Sequence, residues 1–280
     1  MDLRGSLRAA SGQLPRMVCG ILKDGFVIGL ALLVVNVATA QSGNDIPRLA
    51  SGKPDFSGVW QSLTTANWNI LTHGSAPGPA QYGALLSTPA GPGIVDGDRI
   101  PYLPEAAARQ RSNYENRWSE DPELKCYMPG VPRANYMPYP LQIFHSDEHM
   151  LFAYQFAGAA RIVNLNEFQP SAIDSWMGIS NASWDGDTLV IDVAGFNGQA
   201  WLDRAGNHAS YALHVTERYT FAGPDAIDYE ATLEDPRTFS EPWSMRFRLY
   251  RHADPDAHLM EFKCVEFTEE LLYGEYFKGE

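Results

Sequence analysis

The chain of 280 residues carries 34 acidic and 21 basic residues, a formal net charge of −13, and 45% of its residues are hydrophobic. A chain this acidic offers no basic patch for nucleic acid and is repelled by anionic lipid surfaces. Its apolar fraction is sufficient for a full hydrophobic core, so the composition indicates a globular protein.

The first forty residues have the pattern of a secretory signal peptide. Four basic residues precede the apolar run FVIGLALLVVNVATA at residues 26–40, which ends in the small-x-small sequence that signal peptidases cut. The run is shorter than the roughly 20 residues that span a bilayer, although an uncleaved anchor is the alternative. We predict cleavage after Ala40, a periplasmic or secreted location, and no stable membrane insertion of the mature chain. Residues 41–280 then hold 17 basic and 32 acidic residues, a formal charge of −15.

Residues 41–140 predict an irregular segment that contains one helix. Gly and Pro are dense through residues 62–102, which favours loops. Pro104 and Glu105 suit the first turn of a helix, and the alanines that follow favour helical backbone. A helix is therefore predicted at about residues 104–118, followed by a crossing segment rich in proline.

From residue 141 to residue 267 the sequence alternates apolar and polar residues with a period of two, as half-buried strands do. Turn signals such as Asp185-Gly186 separate successive segments. Short strands joined by tight turns predict an antiparallel meander, which must roll up to bury its apolar face. The predicted fold class is mainly β, a lipocalin-like barrel or a strongly curved sheet, in a single domain over residues 41–280.

Two cysteines, Cys126 and Cys264, remain after the signal peptide is removed. In an oxidising compartment such a pair predicts one disulfide. A catalytic thiol and two free buried thiols are the alternatives.

The sequence gives no strong signal for a metal or a cofactor. The stretch HSDEH at residues 145–149 matches a zinc motif that requires a helix, but its flanks LQIF and MLFAYQF are typical of strands. A phosphate loop and a dinucleotide fingerprint are both missing from the sequence. We therefore expect neither a metal nor a cofactor.

Glu217 is the one charged residue that the alternation places on an apolar strand face. It falls between Val215 and Tyr219, whereas the charged residues of the neighbouring strands fall on the opposite face. A buried carboxylate without a partner is costly. Glu217 is therefore either paired with an arginine, such as Arg133 or Arg161, or a tuned acid or base.

The long connection NGQAWLDRAGNHASYA, residues 197–212, is the segment that the sequence favours as the edge of a site. Hairpin loops usually hold about two to five residues, and longer loops are often functional. Its aromatic, acidic and imidazole side chains suit a binding mouth at the rim of a sheet, although a surface loop fits the same composition.

Five segments of the chain resemble a widespread family of exported bacterial proteins that has no established activity. The segments are KPDFSGVW, CYMPGVPR, SWDGDTLVIDVAGFNGQAWLD, LHVTER and DPRTFSEPW. The resemblance spans most of the mature chain and implies membership without implying a reaction. The chain departs from the family pattern at residues 204–211, inside the long connection. Gly58-Val59-Trp60 also resembles the G-x-W of the first lipocalin strand.

The leading hypothesis is an exported enzyme that acts on a small apolar or aromatic molecule by metal-independent acid–base chemistry, as a lyase, isomerase or hydrolase. Glu217 would be the acid or base, with His208 or His214 as its proton partner, and Asp203 would orient the imidazole. The residues expected to bind the ligand are Arg133, Trp176, Trp184, Asn197, Trp201 and Arg218.

Two other classes of function stay open from the sequence. The first is a non-catalytic, lipocalin-like carrier of the periplasm, in which the tryptophans would be stacking walls around a small ligand. The second is an interaction module of the cell envelope, which would present its aromatic residues on the surface. The sequence does not determine the oligomeric state.

Overall fold

Nine β-strands close into one barrel in the computed structural model, which describes residues 45–80, 86–266 and 268. The strands are β1 (Gly58–Ser62), β2 (Leu141–His145), β3 (Met150–Tyr154), β4 (Ala160–Asn164), β5 (Ile179–Asp185), β6 (Thr188–Ala194), β7 (His214–Gly223), β8 (Ala226–Glu234) and β9 (Trp243–Arg251). The predicted mainly-β fold class is confirmed. The predicted signal peptide, residues 1–40, lies outside the described residues.

The barrel closes because β1 pairs antiparallel with both β2 and β9. The prediction of an irregular segment over residues 41–140 was wrong at this strand, although Gly58-Val59-Trp60, which resembles the first lipocalin strand, lies within it. The pairing of β1 with β2 and β9, which are distant along the chain, has little local signal. Closure also explains a second correction. The predicted strand at residues 258–267 is not formed over its described residues, because a closed barrel leaves no edge to which a further strand could pair.

One pair of neighbouring strands is parallel, so the barrel is mixed and the predicted all-antiparallel meander is wrong at this point. The strands β4 and β5 pair only at Val163–Ser180 and Asn164–Asn181. The connection between them, residues 165–178, is long enough to cross over the barrel and start β5 in the same direction as β4.

The strands β6 to β9 follow the alternation that the sequence predicts. Their inward residues are fully or largely buried, for example Leu189, Val215, Tyr229 and Met245. On the outer face of β7 to β9, oppositely charged residues lie side by side, as in the Arg248–Asp228 pair at 2.7 Å. Regular antiparallel pairing between these neighbours, with a short turn between β7 and β8, makes this part of the fold readable from local sequence.

The predicted helix is present as α1 (Pro104–Glu115), followed directly by the short α2 (Arg117–Glu120). Pro104 occupies the first turn, as expected. The helix α1 packs on the long connection, where Gln110 Nε2 donates to the carbonyl oxygen of Ala205 at 2.8 Å. Within the described part of the chain, no helix is long and apolar enough to cross a membrane.

Cys126 and Cys264 form a disulfide with a Cα–Cα distance of 5.6 Å, as predicted. The bond fastens the segment that follows β9 to the segment that follows α2. Phe262 packs against Tyr139 and Phe156 beside it, with ring centroids 5.0 and 5.3 Å apart. A disulfide of this kind is compatible with an oxidising compartment.

Candidate functional site

Glu217 lies inside the barrel at the centre of a buried polar cluster. Its carboxylate pairs with the Arg161 guanidinium, with 2.5 Å between Oε2 and Nη1. Its Oε1 accepts hydrogen bonds from Asn135 Nδ2 at 2.8 Å and from the hydroxyl groups of Tyr219 and Tyr229 at 2.9 Å each. The inward position predicted for Glu217 is confirmed, and Arg161 is the partner.

The engagement of Glu217 limits what it can do chemically. Both carboxylate oxygens accept hydrogen bonds, and the side chain has no exposed surface. A carboxylate in this state reaches a substrate proton only after the cluster opens, since a base must come within hydrogen-bond distance of that proton. The geometry therefore favours a structural ion pair.

His214 and Arg218 point away from Glu217. Neighbouring positions of a strand face opposite sides, and both residues lie an odd number of positions from Glu217 on β7. His214 Nε2 lies 3.6 Å from Asp192 Oδ1, and Arg218 pairs with Asp185 at 2.6 Å, both on the outer face. The expected pairing of Glu217 with His214 is therefore not formed.

Arg133 belongs to a second buried cluster of charges. Its guanidinium pairs with Asp121 at 3.1 Å and with Glu123 at 2.5 Å, and Glu123 also pairs with Arg204 at 2.7 Å. Burial acts to raise the pKa of Glu123, but Arg204 and Arg133 outweigh it and lower that pKa to about 2. The Arg204–Glu123 pair thus holds the segment after α2 onto the long connection, and the charge of Arg133 is already neutralised by Asp121 and Glu123.

Asp203 and His208 are both buried in the long connection but do not interact as expected. Asp203 Oδ2 accepts hydrogen bonds from the Ile70 backbone N–H at 2.8 Å and from Asn207 Nδ2 at 2.6 Å, so it braces the loop. Burial raises its pKa to about 6. The His208 ring stacks on Tyr102 with centroids 5.6 Å apart, and burial lowers its pKa to about 4.

Trp184 lies far from the long connection. It stacks on Phe56 and His145, with ring centroids 6.2 and 6.1 Å apart, near the β5–β6 hairpin. Trp176 precedes the opposite end of β5. The part of β5 from Ile179 to Trp184 alone is about 17 Å long, at about 3.3 Å per residue. Trp184 lines none of the clefts that Trp176 lines, so the two tryptophans do not share a site.

Trp176, Asn197 and Trp201 are the three expected ligand-binding residues that the structure brings together. Trp176 and Trp201 line a cleft of about 300 Å³ between α1 and the long connection, which we call the aromatic cleft. Trp176 stacks there on Tyr127, with ring centroids 4.9 Å apart. Trp176 and Asn197 also line a larger, more apolar groove.

This larger groove follows the seam between β4 and β5, and we call it the seam groove. Residues 160–162 line one side and residues 177–179 line the other, which are the three positions before the paired part of each strand. The two strands diverge here instead of pairing. The groove has a volume of about 1040 Å³, at the upper end of the range of small-molecule pockets, about 300–1,000 Å³.

The surface around the seam groove is apolar, whereas the outer face of β7 to β9 carries paired charges. Ile162 and Ile173 line the groove and are 71% and 80% exposed. Cross-strand pairing places Leu151 beside Ile162 and Phe144 beside Leu151, so an outward apolar row crosses three strands. Contiguous exposed apolar surface of this kind marks binding sites more often than single exposed residues do.

Sequence reasoning missed the seam groove, although a signal for it exists. The strands β2 to β4, with the sequences LQIFH, MLFAY and ARIVN, carry apolar residues on both faces, unlike β7 to β9. A strand with two apolar faces must be covered or must bind something. The groove itself depends on the parallel crossover, which no local pattern in the sequence indicates.

Among the described residues, no group of three or more His, Cys, Asp or Glu side chains is arranged to hold a metal ion. No protein-family model matches the chain, and no curated protein matches it. The resemblance to the family of exported bacterial proteins stays a prediction.

Proposed function

We propose that this protein binds a small, largely apolar molecule in the seam groove and acts as a non-catalytic carrier. The observation that supports the proposal is a concave groove of about 1040 Å³, built where two barrel strands diverge and lined by outward isoleucines. Burial of apolar surface contributes about 25 cal/mol per Å². An apolar ligand that covers Ile162 and Ile173 therefore gains affinity from side chains that otherwise face water.

The charge of Arg161 does not face such a ligand. Arg161 borders the groove, but its side chain points into the barrel, where its terminal nitrogens bind Glu217 and its Nε is buried. Ile162, the next residue of β4, faces outward into the groove. Because Glu217 already neutralises this arginine, a neutral ligand fits better than an anion.

Binding has more support than catalysis. The acid–base chemistry expected of Glu217 stays a prediction, but the carboxylate is enclosed by its partners and neither candidate histidine contacts it. The ligand class of the carrier hypothesis, a small apolar or aromatic molecule, agrees with the lining of the groove. The predicted signal peptide and the disulfide together support a periplasmic location for such a carrier.

Titration of the mature protein with the neutral apolar dye N-phenyl-1-naphthylamine tests the proposal. We expect saturable fluorescence enhancement with a micromolar Kd, and recovery of unchanged dye. Ile162→Glu should weaken binding tenfold or more, because it places a charge in the groove. Leu63→Glu is the matched control: Leu63 is 75% exposed and does not line the groove, so its binding should match that of the wild type. Equal affinity in both variants, or no saturable binding, would refute the proposal.

A further inference from the structure

The aromatic cleft contains a cation that has no partner in the described part of the chain. Arg109, on the exposed side of α1, lines the cleft and forms no salt bridge or hydrogen bond with any described residue. Most other arginines of this acidic protein are paired, such as Arg246 with Glu230 and Arg248 with Asp228. The Arg109 guanidinium, beside the aromatic residues of the cleft, is therefore free to bind an anion.

Several other free polar groups of the cleft can donate a hydrogen bond. The indole N–H groups of Trp176 and Trp201 have no acceptor among the described residues, and the Ser112 hydroxyl and the Gln199 amide, which can donate as well as accept, are also unengaged. The acidic group of the cleft is already used, since Glu120 pairs with Lys125 at 2.9 Å. The cleft therefore offers donors and one positive charge.

A carboxylate is the complement of such a site. It is an acceptor-only group with two oxygens, and its hydrogen bonds to a guanidinium are stronger than those between neutral groups. One unpaired arginine balances a single negative charge, and the net charge of the protein disfavours a polyanion. The stacked rings of Tyr127 and Trp176 provide an apolar wall for the rest of the ligand.

We propose that the aromatic cleft is a second binding site, separate from the seam groove, which takes a small monocarboxylate that carries a planar ring. Arg109 holds the carboxylate, the indole N–H groups of Trp176 and Trp201 donate to its oxygens, and the ring lies along the Tyr127–Trp176 wall. The cleft volume of about 300 Å³ limits the ligand to the small end of the usual range.

Two-dimensional ¹H–¹⁵N NMR of the mature wild-type protein tests this site with benzoate as the probe. The indole N–H peaks of Trp176 and Trp201, assigned from Trp176→Phe and Trp201→Phe, should shift saturably. The Trp184 peak should not move, because Trp184 lies at the other end of β5. Benzamide, which has the same shape without the charge, should bind at least tenfold more weakly.

Arg109→Gln should reduce benzoate affinity tenfold or more. Arg111→Gln is the matched control, since Arg111 is exposed on the same helix, carries the same charge and does not line the cleft. Wild-type affinity in Arg109→Gln, equal losses in both variants, or unmoved indole peaks at 20 mM benzoate would overturn the assignment. Ile162→Glu should bind benzoate normally, so this result is independent of the seam groove.

Discussion

The barrel interior is held by a charge pair that is costly to break. Glu217 and Arg161 are both buried, and their geometry supplies the mutual attraction that offsets the cost of removing two charges from water. Tyr219 and Asn135 each bond to the pair or to its neighbours, so the cluster acts as one hydrogen-bonded unit. Removal of one member should therefore affect stability more than ligand binding.

Glu217→Gln should destabilise the protein, because it leaves the Arg161 charge buried without a counter-charge. Breaking a buried pair costs about 3–5 kcal/mol, which lowers the Tm of a domain of this size by roughly 6–20 °C. Glu230→Gln is the control, since Glu230 pairs with Arg246 on the outer face and should change the Tm little. A Tm equal to or above that of the wild type, with loss of function, would restore the catalytic interpretation of Glu217.

His208 and Asp203 give opposite contributions to the pH dependence of stability. The pKa of His208 is lowered by burial to about 4 from its usual 6.5, so its contribution is full above pH 6.5 and is lost as the pH falls to about 4. The pKa of Asp203 is raised by burial to about 6, so its contribution is lost as the pH rises from about 4 to 6. The two effects partly cancel in the wild type.

His208→Gln should remove the histidine contribution alone. As the pH falls from 7 to 4, His208 should cost the wild type up to about 3 kcal/mol of unfolding free energy, because its pKa is about 4 in the folded protein and 6.5 in the unfolded chain. The variant should not show this loss. Urea unfolding at both pH values measures this difference. His149→Gln is the control on the surface, because the His149 side chain is 88% exposed, and it should keep the pH dependence of the wild type. If the two proteins differ in unfolding free energy by the same amount at both pH values, burial does not lower the pKa of His208.

At the scale of single residues, the sequence could place Glu217 inward but could not choose its partner. Parity along one strand fixes the face of a side chain. The choice between Arg133 and Arg161 depends on which strands lie across the barrel, which is a long-range property. The same limit applies to Asp203. The sequence places this acid in the long connection but does not show that it bonds to Ile70 and Asn207.

At the scale of elements, the strands β6 to β9 and the helix α1 were predictable because their signals are local. The pairing of β1 with β9 and the parallel β4–β5 pair were not, since both depend on contacts between distant parts of the chain. The seam groove arises at such a long-range contact. The position of the groove therefore could not be predicted from local sequence patterns. The sequence does show that β2 to β4 carry apolar residues on both faces.

The disulfide should stabilise the chain without being needed for the barrel. The bond joins residues that are 138 positions apart, which is worth about 5 kcal/mol in the chain-entropy model. The last strand ends at Arg251, before Cys264, so the closed barrel does not include the tethered segment. Reduction should therefore loosen that segment first.

The double variant Cys126→Ser/Cys264→Ser should keep its β-sheet circular dichroism at 25 °C and should unfold at a lower temperature. Limited proteolysis should cut it first within residues 252–266, as read from fragment masses. Reduced wild-type protein should give the same fragments and serves as the control. Loss of the β-sheet signal in the unheated variant would show that the tethered segment is required for the barrel.

At the scale of the whole molecule, the chain combines a lipocalin-like barrel with an interior that is filled by side chains. Trp60, Phe152 and Tyr219 are fully buried there alongside the Glu217 cluster. A carrier built this way would bind its ligand at the surface seam and not in the barrel lumen. Trp176 lines both the aromatic cleft and the seam groove, so one tryptophan borders both proposed sites.

Hydrogen–deuterium exchange of the wild-type protein, with and without saturating N-phenyl-1-naphthylamine, tests the seam groove most directly. Bound dye should slow exchange in peptides that cover residues 160–164 and 172–179, because these segments line the groove and because β4 and β5 pair with each other at only two positions. Exchange in β7 and β8, which line the interior around Glu217, should not change. Protection in β7 and β8 without protection at the seam would contradict binding in the seam groove and would place the ligand inside the barrel.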